Sequence, residues 1–184
     1  MVATMQIRDA TRHRFSVDEY LVFADIDPDR ETELLDGEVY DLSPEYAPHA
    51  RLAHQILYAL GDVFGRDRAH MAGSVWIDES TLVQPDAFLV VGGVETPSGP
   101  WPASALMLAV EISASTSARD RRKAAAYARA GVANYWRYEV ATSTLHLLGS
   151  PAGGEYATTD SAIVESAGDA LYAAAVEYAR RDIR

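Results

Sequence analysis

The chain predicts an α/β fold, an α+β arrangement in which a mixed sheet is flanked by helices. Three observations predict it. Apolar residues recur at helical spacing near positions 49–64 and 167–180. Three strand-like apolar runs follow the first of these stretches, and an alanine-rich helix with a capping signal follows the runs. The order from His49 onward is therefore helix, three strands, helix, strand, which a sheet covered by helices satisfies.

The elements can be justified in order. Ser16-Val17-Asp18-Glu19 reads as a capping box and starts a short helix that runs to about Ala24. Asp27-Pro28-Asp29 breaks it. Asp36-Gly37 stands between two short apolar stretches, Thr32–Leu35 and Glu38–Tyr40. That is a hairpin signal, because both central positions of a type I′ turn need positive φ. Ser43-Pro44 and Pro48 mark a loop. Leu52, Ile56, Leu57, Leu60 and Phe64 then place a helix over about His49–Phe64, ended by Gly65. Strands are expected at about Met71–Ile77, Asp86–Val91 and Leu106–Ser113, the last apolar on both faces like a central strand. Ser117-x-x-Asp120 opens the alanine-rich helix, which Gly131 stops. Asn134–Glu139 and Thr144–Leu148 read as a further strand pair, and Pro151–Gly154 as a turn. A C-terminal amphipathic helix is expected over roughly Ala167–Arg180, packed on the core.

With 184 residues, 48% of them apolar, the chain is expected to form a single domain over 1–184, with residues 1–14 a flexible tail. No apolar run reaches the length of a membrane span, so no membrane partner is expected. The first residues carry no signal-peptide core, and a cytoplasmic location is the default. The absence of cysteine excludes disulfides and thiolate metal sites. A net charge of −11 argues against a surface that coats DNA. The charge is uneven, however. From Arg119 to Arg137 six bases face one acid, a net of +5 that leaves −16 on the rest of the chain. Such a segment could meet a phosphate backbone, or could be a solvated helix face.

Lys123 is the only lysine beside fifteen arginines. An arginine-biased chain can retain one lysine by chance. A compact ammonium is also what a catalytic site uses when a point charge is needed. Two carboxylates stand nearby in strand-like runs: Asp86 opens Ala87–Val91, and Glu111 follows Leu106–Val110. Either acid could reach water from its strand edge. If the two strands are neighbours, Asp86 and Glu111 converge and, with a backbone carbonyl and waters, suit Mg²⁺. One helical turn after its cap, Lys123 can point back to the same place, to stabilise an anion or help deprotonate a water. Tyr127 shares its face, which also suits packing, and Arg119 one turn earlier is a candidate phosphate contact.

Gln84-Pro85-Asp86, Glu111-Ile112-Ser113 and Lys123 together resemble the PD-(D/E)XK nuclease superfamily. The closer resemblance is to its Uma-type branch of restriction-endonuclease-like proteins, in which the lysine sits on the following helix. The hairpin Glu33-Leu34-Leu35-Asp36-Gly37-Glu38, Ser43-Pro44 with His49, Ser113-Ala114-Ser115-Thr116, and Tyr127–Val132 with Tyr135-Trp136 are similar to that branch's motifs. Ala114 stands where its proline is usual, Asn134 where proline or glutamate is common, and Arg137 where an apolar residue follows the tryptophan. The resemblance implies a restriction-endonuclease-like core over about 33–148. It implies Asp86 and Glu111 as metal ligands with the Ile112 carbonyl, and Lys123 as the catalytic lysine. Glu33 would be a further acidic member and His49 a polar contributor, although a hairpin surface or a helix N-terminus would also use these residue types. Mg²⁺, replaceable by Mn²⁺, would be the cofactor, and DNA the partner, held by Arg119 and Arg122 with His49 and Tyr127. Nucleases that cut duplexes often act as dimers, so this chain could form a homodimer. A non-catalytic binding or assembly module and a hydrolase of another phosphate ester remain open alternatives.

Overall fold

The computed structural model describes residues 12–42, 47–71, 73–114, 117–165 and 169–183. Ser16 caps helix α1 (Val17–Ile26), with both bonds of the expected capping box present. Strands β1 (Thr32–Leu35) and β2 (Glu38–Asp41) form the expected hairpin. Its turn puts Asp36 at φ 49° and Gly37 at φ 77°, the left-handed pair that only an Asp-Gly type of sequence accepts cheaply. Helix α2 (Ala47–Phe64) begins two residues earlier than the apolar spacing indicates, because Pro48 fits the first helical turn.

The strand region is more divided than the sequence suggested. It contains β3 (Ala69–His70), β4 (Val75–Asp78), β5 (Thr81–Val83), β6 (Ala87–Val90), β7 (Trp101–Pro102) and β8 (Leu106–Ser113). Helix α3 (Ala118–Arg129) carries the Ser117/Asp120 capping box. It ends in a Schellman arrangement: Val132 N–H reaches Tyr127 O and Gly131, at φ 78°, reaches Ala128 O. β9 (Asn134–Glu139) and β10 (Thr144–Ala152) pair as expected, but β10 runs through Pro151 and turns only at Gly153-Gly154 into an unforeseen β11 (Glu155–Ile163). Helix α4 is Ala170–Asp182. The expected start of that helix at 167, the Ser43-Pro44 loop and Ser115-Thr116 lie outside the described residues, as do residues 1–11 of the expected tail. No helix among the described residues is long and apolar enough to cross a membrane.

Two sheets form instead of one. One has the order β2-β1-β5-β4-β7, the other β11-β10-β9-β8-β6-β3. Within the six-stranded sheet, β8 and β9 are parallel and α3 is their crossover, while β6 and β8 are antiparallel neighbours. Period-two alternation then separates the faces. Leu108, Val110 and Ile112 pack against α2 and α4, where Leu171, Ala175 and Ala179 are buried. Ala109 faces the other way, into a layer made with Tyr127 of α3 and with Leu35, Val75 and Val83 of the five-stranded sheet. Helix α1 covers the outer face of that second sheet through Val17, Tyr20, Leu34 and Leu82.

Candidate active site

The alternation that buries Leu35 in the central layer carries Glu33 there too, since the two residues share a face of β1. Glu33 is completely buried. By the same rule Glu111, two residues after Ala109 on β8, points toward α3. Asp86 ends the segment before β6, where the β8 backbone fixes it. Its N–H donates to Val110 O at 3.0 Å, and its Oδ2 accepts the Ile112 N–H at 2.5 Å. The two strands are neighbours, as convergence of the acids requires.

Lys123 enters this layer from α3. Its Nζ lies 2.6 Å from Glu111 Oε1, 3.1 Å from Glu33 Oε2 and 3.2 Å from the Gln84 carbonyl. Glu33 is also gripped by Arg119, whose Nη2 and Nε lie 2.5 and 2.9 Å from its Oε1. The Tyr127 hydroxyl is 3.4 Å from Glu111 Oε1. On the opposite side, His49 Nε2 stands 3.2 Å from Ile112 O and 3.4 Å from Asp86 Oδ1. Those two oxygens, one from the segment before β6 and one from β8, therefore both face the His49 ring.

A cleft of about 1230 Å³ opens onto these groups, lined by His49, Asp86, Glu111, Ile112, Arg119 and Lys123. Asp29, Glu31, Asp41 and Asp120 are among its other walls. Arg122 and Tyr127 are not in the lining. Arg122 turns to the hairpin, where Asp36, Glu38, Tyr40 and the Leu35 carbonyl accept from it. Of the six bases between 119 and 137, Arg121 alone has no ion pair among the described residues. The Gln84 carbonyl is a contact that the sequence reading missed. The only local signal for it is Pro85, which holds the preceding residue extended.

The electrostatics follow from three carboxylates and two cations packed together where burial is high. Burial, with the neighbouring Asp86 and Glu33 carboxylates adding to it, outweighs the pull of Lys123 and pushes Glu111 up to about 8. For Glu33 burial acts in the same upward direction, but Lys123 and Arg119 win and its carboxyl is held below the usual range. Lys123 is buried, which favours its neutral form. Glu111 and Glu33 outweigh that and hold its pKa above the ordinary lysine value. The ammonium is a fixed cation and not a ready base.

Among curated proteins none matches the chain. Among solved structures it is similar to the crystal structure of "a putative nuclease belonging to DUF820" from Anabaena variabilis ATCC 29413. The identity is 11% and the TM-score 0.65, over 89% of this chain and 98% of that one. At that identity the likeness is one of fold. The family model described as "Putative restriction endonuclease" matches residues 17–175, a span that holds Glu33, Asp86, Glu111 and Lys123. The chain belongs to the Uma2 family.

Proposed function

We propose that this chain is a divalent-metal-dependent nuclease that hydrolyses DNA phosphodiester bonds in the cleft beside Lys123. The observation that carries the reading is that Asp86 Oδ1 and Ile112 O both face the His49 ring in the cleft that Glu111 and Lys123 also line. Among the described residues no group of three or more His, Cys, Asp or Glu side chains is placed to hold a metal. Two carboxylates and a main-chain carbonyl are nonetheless the donor set of Mg²⁺, which keeps several waters and takes one or two carboxylates. The residues fit that ion, and Mn²⁺ would serve in its place. Asp86, Glu111 and Ile112 O would hold it, and it would supply Lewis-acid stabilisation of the charge on the phosphoryl oxygens and a more acidic water.

The chain's own groups do the rest. Lys123, whose three N–H groups are taken by Glu33, Glu111 and the Gln84 carbonyl, places its positive charge beside an oxygen that gains charge in the transition state. Glu33 fixes that ammonium and, through Arg119, the guanidinium that lines the cleft next to it. Arg119 contacts a backbone phosphate. His49 holds the Asp86 carboxylate and the Ile112 carbonyl in register, and Tyr127 orients Glu111. Arg122 serves by bracing the hairpin that carries Glu33.

The test is cleavage of plasmid and single-stranded DNA with Mg²⁺ or Mn²⁺. The wild type should cut, and Lys123→Ala should lose about 10²–10³-fold in rate, as when an oxyanion donor is removed. No divalent-dependent cutting by the wild type, or equal cutting by the variant, overturns the proposal. The acidic walls Asp29, Glu31, Asp41 and Asp120 favour a second reading, a non-catalytic binding module on the same fold. Calorimetric titration with Mg²⁺ separates the two, since only the nuclease needs the cation at Asp86 and Glu111.

A further inference from the structure

A sheet edge can take on another strand, because alternate residues of an edge strand turn their N–H and C=O groups outward. Three of the four edges here are short: β2 has four residues, and β7 and β3 have two each. The fourth is β11, nine residues long. Seven of its nine residues are exposed. Ile163, at its end, is 84% exposed, more than any other large apolar side chain among the described residues. Native edges of this length are usually guarded by lysine, proline or a bulge. β11 reads Glu-Tyr-Ala-Thr-Thr-Asp-Ser-Ala-Ile, with no lysine, arginine or proline. It keeps one register with β10, from Thr144 opposite Ile163 to Ala152 opposite Glu155, so no bulge bends it away. Among the described residues no strand lies on its outer side.

The strand's own sequence suits a second copy of itself. Full-length antiparallel pairing about a two-fold axis centres on Thr159. Thr158 then faces Asp160 of the other copy, Ala157 faces Ser161, Tyr156 faces Ala162, and Glu155 faces Ile163. Threonine meets threonine at the centre, a favourable cross-strand pair, and no like charges stand directly opposite. The two Asp160 residues come diagonal to each other, about 7–8 Å apart. Each brings its own cation. Arg181, in the last turn of α4, lies 3.0 Å from Asp160 through Nη2, and grips Asp182 through Nε and Nη2. Its Nη1 takes no part in these bonds and can reach the Asp160 of the other copy. Two arginines and two aspartates would thus alternate across the axis, a complementary charge pattern. Tyr178, whose ring lies 4.7 Å under the Arg181 guanidinium, adds an apolar flank to a strand pair about 30 Å long. No β11 residue lines the cleft beside Lys123, so pairing leaves both clefts open.

We propose that β11 is the dimerisation edge of this chain. A second copy pairs with it antiparallel about a two-fold axis at Thr159, and the two six-stranded sheets become one continuous sheet.

Sedimentation velocity of the full chain over about 1–200 μM, at about 0.15 M salt to screen the net charge, tests the proposal. The 20.0 kDa monomer should convert to a dimer as concentration rises. Thr159→Lys sets two ammoniums face to face on the axis and should weaken the dimer at least about tenfold. Val22→Lys, on the exposed side of α1, should dimerise as the wild type does. Amide hydrogen exchange of the wild type gives a reading that needs no variant. Exchange in β11 should slow as concentration rises, and exchange in β2 should not. A monomer throughout, a dimer as tight in Thr159→Lys, a dimer lost in Val22→Lys, or β11 exchange that ignores concentration overturns the proposal. A chain that cuts no DNA would leave all these outcomes unchanged.

Discussion

The Lys123 ammonium takes three oxygens from three separate segments: Glu33 on β1, the Gln84 carbonyl before β6 and Glu111 on β8. A guanidinium is planar and longer, and cannot place its donors on three acceptors that close around one nitrogen. Lys123→Arg should therefore cost about 1–3 kcal/mol of stability through overpacking, seen in urea unfolding, and should cut no faster than Lys123→Ala. Full activity in the arginine variant would remove the reason for a lone lysine. Glu111 supplies a second consequence. Its folded pKa of about 8 lies above its ordinary 4.5, so between those values the folded chain holds a proton that the unfolded chain has released. Its contribution to stability thus falls as pH rises through that window and is flat above it. A divalent cation at the Glu111 carboxylate must expel that proton. Mg²⁺ titration at pH 7, in two buffers of different ionisation enthalpy, should report a released proton, and the release should vanish about one unit above the Glu111 pKa. Identical heats in both buffers at pH 7 would contradict this. At this scale Asp86, Glu111 and Lys123 could be read from the sequence, because unusual residue types sat in apolar runs. The third acceptor could not, because a main-chain carbonyl has no residue type.

The β1–β2 hairpin and α3 form one electrostatic unit. Arg122 donates to Glu38 at 2.7 Å, Tyr40 at 2.5 Å, Asp36 at 3.1 Å and the Leu35 carbonyl at 3.1 Å, while Arg129 adds a 2.7 Å bond to Asp36. Hydrogen bonds from Arg122, then Tyr40, hold Glu38 down to about 2. A depressed carboxyl contributes stability above its ordinary 4.5 and loses it as pH falls toward 2, so the clasp opens in acid. Arg122→Ala should speed amide hydrogen exchange across β1 and β2, cost about 1–3 kcal/mol, and lower any cleavage activity by loosening Glu33. Exchange confined to α3 would show that the hairpin does not depend on the clasp. The capping boxes, the Asp-Gly turn and the glycine stop at Gly131 were legible because each is a local pattern. The neutralisation of the basic segment was not, because three of its acids, Glu33, Asp36 and Glu38, lie more than eighty residues away in sequence. β11 was missed for another reason. It is an edge strand exposed along most of its length, so no alternation of apolar residues marks it.

For the whole molecule the acidic balance and the paired bases have one consequence for nucleic acid. Most cations that the sequence offers to phosphate already hold carboxylates, so on the proposed mechanism the chain should meet DNA through a metal held at Asp86 and Glu111 and few free charges. Metal-free binding to DNA should be weak, with a shallow dependence on salt. A slope of log K against log salt near about −5, the value for six free bases at roughly 0.9 per phosphate contact, would contradict that. The order of the helices and the nearness of the Asp86 and Glu111 segments were expected from the sequence, but the division into two sheets was not. The short strands β3, β5 and β7 carry too few residues to show a period, and their partners come from distant segments. The two sheets together enclose Glu33, Glu111 and Lys123, and a metal held beside them is the claim on which the function rests. A crystal grown with Mn²⁺ and measured at its absorption edge tests it most directly. An anomalous peak bounded by Asp86, Glu111 and the Ile112 carbonyl, with Lys123 beside it, is predicted. No peak there, or manganese bound only elsewhere on the acidic surface, would contradict it.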